Sequence, residues 1–319
     1  MFAKRITYQN NDALKLFVLA LMLLCVVVSK AQQDPVYTQY MNNISSLNPA
    51  YTNVRGVASL VSVNRKQWIN FDKAPFTSAL NYSMPIDSLG KMGGGFDFLY
   101  DNTHATTFTN FFADYAYQVK TSSTTTLSFG LKAGFNYLQP RLTELDRYHL
   151  DDPYILAYGD VPRLMPNFGV GVFWFAPNYY LGFSVPRLLR TRFHRNVVDV
   201  NAASRLERHY FFHAAYIYNI SPSLVFKPGV ATIVAPGAPF TADFDFSFMY
   251  ADQFWLGAMY RISDAVGAYA HFQYENIKIG VSYEYPLTDL GYYTNGTVEI
   301  LLRFDFKTKE TQVFPSPSF

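Results

Sequence analysis

The chain has 319 residues, with 26 basic and 24 acidic side chains, a net charge of +2, 18% aromatic residues and one cysteine, Cys25. This charge balance implies no nucleic-acid partner. A single cysteine excludes a disulfide framework.

Lys4, Arg5 and Lys15 precede an apolar run from Leu16 to Val28 that ends in Ser29-Lys30-Ala31. This pattern reads as a signal peptide over residues 1–31, because the run is shorter than the roughly twenty residues a membrane span needs. The leader carries four basic residues and one acid, so the remaining chain has a net charge near −1 and no cysteine. Export without a later helical anchor, together with the aromatic content, fits a Gram-negative outer membrane.

Residues 32–54 have neither helical nor strand period and are rich in Asn and Pro, which reads as an ordered coil. Tyr37, Tyr40, Met41, Leu47 and Tyr51 cannot stay in water without cost, about 1.5 kcal/mol or more each. The segment, with Asp34, Pro35, Asn48 and Pro49, therefore packs, either as a plug-like lining at the periplasmic mouth of a lumen or as a periplasmic docking arm.

Fourteen strand candidates follow in residues 55–306: Arg55 to Trp68, Phe76 to Met84, Met92 to Asp101, Thr106 to Val119, Thr125 to Tyr137, Phe168 to Phe175, Tyr179 to Val185, His209 to Tyr218, Leu224 to Val234, Phe240 to Tyr250, Phe254 to Arg261, Ala265 to Tyr274, Ile277 to Tyr285 and Thr297 to Phe306. The stretch FTADFDFSFMY is typical. Phe240, Ala242, Phe244, Phe246, Phe248 and Tyr250 share one face, and Thr241, Asp243, Asp245, Ser247 and Met249 share the other. A transmembrane antiparallel β-barrel requires this writing: apolar and aromatic side chains out to lipid, polar ones in to a lumen, and an even number of strands. With both ends periplasmic, the two longest connections, 138–167 and 186–208, fall on the extracellular side, and short turns such as Pro177-Asn178, Ala251-Asp252 and Glu275-Asn276 fall on the periplasmic side. Residues 307–319 read as a periplasmic tail.

The inward faces hold Asp97, Asp101, Asp114, Lys132, Lys227, Asp243, Asp245, Glu275, Lys278, Glu284, Glu299 and Arg303, with bulky Phe211, His213, Trp255 and Tyr269 beside them. Such a lumen is a water-filled pore or a closed network of paired side chains, and the sequence does not choose. His104, His149, His194, His209, His213 and His271 lack metal-ligand spacing, and no nucleophile elbow or phosphate loop is present. The chain therefore reads as a non-enzyme with no cofactor. In the 186–208 connection, Leu188, Leu189 and Phe193 sit among Arg190, Arg192 and Arg195. That mixture reads as an apolar core with a cationic rim, suited to an acidic protein client or to lipopolysaccharide phosphates, or as a solvated loop.

The run Gln33-Asp34-Pro35-Val36-Tyr37-Thr38-Gln39-Tyr40-Met41, followed by Leu47-Asn48-Pro49-Ala50-Tyr51, Asn64-Arg65-Lys66-Gln67-Trp68 and Ala74-Pro75, resembles the PorP/SprF family of Bacteroidetes. Asp152-Pro153-Tyr154, Pro166-Asn167-Phe168-Gly169-Val170-Gly171, Phe183-Ser184-Val185-Pro186 and Phe226-Lys227-Pro228-Gly229 extend the similarity along the chain. The resemblance implies an outer-membrane component of the type IX secretion and gliding-motility apparatus, supporting secretion or surface attachment of a large adhesin-like client. A diffusion porin is the alternative function, and a lipid-modifying outer-membrane enzyme a more distant one.

Overall fold

The computed structural model describes residues 36–141, 143, 160–190 and 206–306. Strands β1 (Ala58–Lys66), β2 (Phe76–Pro85), β3 (Met92–Asn102), β4 (Thr106–Lys120), β5 (Thr126–Pro140), β6 (Arg163–Ala176), β7 (Tyr179–Val185), β8 (Tyr210–Tyr216), β9 (Tyr218–Ser221), β10 (Leu224–Val234), β11 (Thr241–Tyr250), β12 (Phe254–Arg261), β13 (Ala265–Tyr274), β14 (Ile277–Pro286) and β15 (Thr297–Phe306) form one sheet. Neighbours in sequence pair antiparallel, with β8 and β9 both lying on β10, and β1 pairs with β15 from Ala58↔Phe306 to Lys66↔Val298, so the sheet closes. Strands β8 and β9 are two pieces of one stave, broken at Ile217, where pairing with β10 lapses beside Pro228, while the Ile217 N–H still reaches the Asn178 carbonyl at 2.8 Å in register with β7. The closed barrel thus has fourteen staves and no free edge, the arrangement that satisfies backbone groups in lipid.

The alternation fixes which face is which. On β11, Phe244, Phe246 and Phe248 are 39%, 49% and 47% exposed, whereas Asp243 and Asp245 are 3% and 1% exposed. The outer surface continues in this style through Leu131, Phe168, Leu256, Ile279, Val281, Ile300 and Leu302. No helix among the described residues is long and apolar enough to cross a membrane; the strands provide the spanning surface.

Connections sort by end. The end at which β1 begins and β15 finishes carries tight turns, among them the three-residue connection 251–253, where Ala251 and Asp252 both have positive φ, 53° and 58°, as in a type I′ turn. The connections β5–β6 and β7–β8 lie together at the other end, as the strand count requires. Many strand bounds shift from the periodicity by a few residues, and two starts have a plain cause. β1 starts at Ala58 because Gly56 takes φ +66° and Arg55 turns its guanidinium to Asp305. β6 starts five residues before Phe168, with Pro166 paired only to β5, since the β6–β7 ladder begins at Val170↔Val185. A proline is tolerated where one neighbour is missing. Glu275 lies in an exposed tight turn at φ 50°, not in the lumen.

Replacing Val281, which is 52% exposed at the middle of β14, with Arg should destabilise the barrel by about 2–4 kcal/mol, the cost of a cation at the lipid midplane. The same change at Glu275 in the turn should stay within about 0.5 kcal/mol. Denaturant unfolding in lipid vesicles measures both.

Candidate functional site

The lumen is filled by the chain itself. Residues 36–57 run through it from the long-connection end to the tight-turn end, where β1 begins. Contacts along the segment trace the path. Val36 lines one small cavity with His209, Ile233, Ala235, Ala238, Pro239 and Thr241, at the β10–β11 connection. Thr38 and Gln39 meet Glu284, Glu299 and Ser282 near the long-connection ends of β14 and β15. Asn43 and Ser46 meet Asn81 in the middle of β2. Asn53 donates to the carbonyls of Gly90 and Met92 at the β2–β3 turn, and Arg55 reaches Asp305 at the last turn of the ladder.

The upper lock is built on Glu299, which is fully buried. Its carboxylate accepts the Thr38 N–H at 2.8 Å, the Gln39 N–H at 3.0 Å and the Arg65 guanidinium at 2.6 Å. Arg65 also binds Glu284 at 2.9 Å, and Glu284 joins Arg261, which forks onto Asp243 at 2.9 and 3.0 Å. A buried charge is tolerated when it is paired and its remaining lone pairs are bonded. Here the segment's own backbone amides complete the bonding of the carboxylate.

Two further polar locks lie below. Lys132 is bound by Asp97, stands 3.6 Å from Asp114, and donates to the carbonyls of Ser45 and Ser46 at 3.3 and 3.1 Å. Lys278 donates to Asn42 at 3.0 Å and lies 4.1 Å over the Trp255 ring, while His271 faces Gln39 at 2.7 Å. Apolar side chains fill between them. Tyr37, Tyr40 and Met41 pack on Val61, Val63, Ala79, Tyr269 and Leu301, and Ile44 and Ala50 pack with Phe173 and Tyr180. The wall is thinned where the segment passes: a Cβ on Gly130 would overlap the backbone of Ala50, and one on Gly171 would overlap the Asn48 side chain. Asn48 itself caps the Pro49–Tyr51 turn and donates to the Val172 carbonyl at 3.1 Å. Between Tyr37, Ser46, Leu47 and the wall residues Asp97, Lys132 and Arg187 a cavity of about 60 Å³ remains, space on the scale of ordered water.

Of the sequence-derived site residues, Tyr37, Tyr40, Met41, Asn48, Pro49 and Tyr51 are thus gathered inside the lumen; Asp34 and Pro35 lie outside the described residues. Leu188, Leu189 and Arg190 stand at the opposite mouth from the tight turns. The Leu188 and Leu189 backbones are tied to Phe168 and Asn167, Leu189 is exposed, and Arg190 pairs with Glu207 at 3.3 Å. Arg192, Phe193 and Arg195 lie outside the described residues, as do residues 1–31, where a signal peptide is expected, residues 307–319 and most of the acidic 138–167 connection. At the same mouth burial pushes the Arg187 guanidinium down to about 10, and burial together with that cation pushes His209 down to about 4, so at neutral pH Arg187 is charged and His209 is not. Inside, His213 packs against the Phe173 and Tyr180 rings. Arg65 and Arg261 were not among the sequence-derived lumenal charges. Arg65 shares parity with inward Val61 and Val63, a signal masked by its position in the polar run Asn64-Arg65-Lys66.

A closed fourteen-stave barrel with an aromatic outer band and a polar, filled interior is an outer-membrane barrel. A family model described as type IX secretion system membrane protein PorP/SprF matches residues 29–304, and the chain belongs to that family. No curated protein matches the chain. Among solved structures, a deletion mutant of TodX, a monoaromatic hydrocarbon channel, is similar at 10% identity and TM-score 0.46, over 82% of this chain and 92% of that one. A Rhodopseudomonas blastica porin triple mutant is similar at 11% identity and TM-score 0.35, over 78% and 99%.

Replacing Arg65 with Ala leaves Glu284 and Glu299 without their shared cation and should cost about 3–5 kcal/mol in unfolding free energy. Adding Glu299→Gln should recover part of that loss, because one buried charge is removed while an acceptor remains for the Thr38 and Gln39 amides. A double-mutant cycle in detergent or lipid reads the coupling.

Proposed function

We propose that this type IX secretion membrane component acts by binding protein: it supports secretion or cell-surface attachment of a large adhesin-like client, which docks at the long-connection mouth. The single observation that carries this reading is the filled lumen. A segment held by Glu299, Lys132 and Lys278 along its length occupies the lumen of the described barrel, which favours the two ends as the working surfaces. Long connections of outer-membrane barrels face outward, and tight turns face the periplasm. The exposed Leu189 beside Leu188 and Arg190 supplies apolar area with a cationic rim, and in sequence the same connection continues with Arg192, Phe193 and Arg195. Such an arrangement suits a client with acidic groups around an apolar patch: the rim speeds encounter and the apolar anchors slow release.

The chain is exported through the signal peptide 1–31, sits in the outer membrane next to lipopolysaccharide, and works with the rest of the secretion machinery at the periplasmic face. It carries out no catalysis in this reading.

Substituting Leu188, Leu189 and Phe193 together by Ser, in a barrel that still assembles, should strip the client from the cell surface while leaving the barrel in the membrane, as read by the surface proteome. A client retained at its normal level contradicts the docking site. In planar bilayers the unmodified protein should show no stable open channel; steady conductance would instead favour a diffusion porin.

A further inference from the structure

The direction in which the lumenal segment runs has a topological consequence. Two facts define it. Val36 is at the mouth that also holds His209, Ala235, Ala238 and Pro239, and Arg55 is at the end where β1 begins and β15 stops. The partners at the two ends agree: Thr38 meets Glu299 and Glu284 near the long-connection ends of β15 and β14, Asn53 meets Met92 at the β2–β3 turn, and the residues between them hold His271, Lys278, Asn81 and Val172. A segment that merely capped the tight-turn end would contact only the β2–β3 turn and its neighbours. This one traverses the barrel and contacts the far connection.

We propose that the lumenal segment enters the barrel from the outer face of the cell, so that its Val36 end is a surface element and forms part of the client-docking surface at that mouth. Val36 is half-buried there and lines a small cavity with the β10–β11 connection, while Pro186 to Arg190 leave the same mouth from β7. A client seated on Leu188 and Leu189 therefore meets a mouth that also presents the first turn of the plug. Its contact is transmitted directly to Thr38 and Gln39, whose amides sit on Glu299 two and three residues further in. The orientation and the client belong to the reading in the preceding section; the route of the segment does not depend on that reading.

Cysteine accessibility tests it. The single native cysteine, Cys25, lies in the signal sequence, so introduced thiols are unique in the exported chain. Three single variants are needed: Val36→Cys; Tyr292→Cys, 88% exposed at the long-connection end; and Leu89→Cys, 65% exposed at the tight-turn end. A membrane-impermeant maleimide applied to intact cells should label the variants at 292 and 36, and should reach the variant at 89 only after the outer membrane is permeabilised. Because Val36 is half-buried, a short bis-maleimide should also link it to Ala238→Cys in the double variant, and should not link it to Leu89→Cys. Labelling at 292 with neither label nor cross-link at 36 overturns the proposal. Labelling at 89 and not at 292 inverts the barrel and overturns it too. The docking part is read separately. A bulky maleimide on Val36→Cys should lower client retention at the surface. Unchanged retention, with loss in the Leu188, Leu189 and Phe193 variant, overturns the Val36 contribution and leaves the loop site standing.

Discussion

The structure depends on one constraint: a fourteen-stave barrel encloses a polar lumen that the protein fills with its own chain. Charges facing that lumen are buried from lipid by the wall and from water by the segment. Each must find a partner inside or lower the stability of the whole. Glu299 is the clearest case. It is fully buried, and it is satisfied by Arg65 on β1, by Ser282 on β14 at 3.4 Å, and by two backbone amides of the segment. The bonds tie the barrel seam to the plug, since β1 and β15 are the strands that close the sheet. Closure of the sheet and seating of the segment are therefore parts of one network.

Much of this was legible in the residues. Strand alternation gave fourteen staves, their order and the common end of the two long connections, and the β15 bounds were readable to the residue at Thr297 and Phe306, because each lipid-facing position must be apolar and each lumenal one polar. The alternation also placed Asp243, Asp245, Lys278 and Glu299 inward, where they are. It did not mark the break at Ile217, where pairing with β10 lapses between Gly229↔Ala215 and Phe226↔Tyr218, at Pro228, which has no N–H to give the ladder.

The path of residues 36–57 was not legible for a different reason. A coil has no period, so its partners are set by tertiary fit alone. Polar residues in a coil usually signal water, yet Gln39, Asn42, Asn43 and Ser46 here bind His271, Lys278 and Asn81 in the interior. The sequence does hold complementary traces in the wall. Gly130 and Gly171 stand at inward positions of β5 and β6, where a side chain would collide with Ala50 or Asn48. Two inward glycines on adjacent staves mark a close approach of another backbone, and could have located the docking point of the plug. Arg65 and Arg261 escaped notice because each lies at or next to the end of its strand, where inward and outward faces are hardest to assign.

The chain is a type IX secretion membrane component of the PorP/SprF family, and its lumen is occupied by its own residues 36–57. The most direct test of the central claim is amide hydrogen exchange of the 36–57 segment in lipid-embedded protein, read by mass spectrometry. If Glu299 and the lumenal locks hold the segment as described, its amides, above all Thr38 and Gln39, exchange as slowly as those of the neighbouring strands β14 and β15. Exchange at the rate of an open loop, with the strands still protected, would show that the segment does not occupy the lumen and would contradict the account.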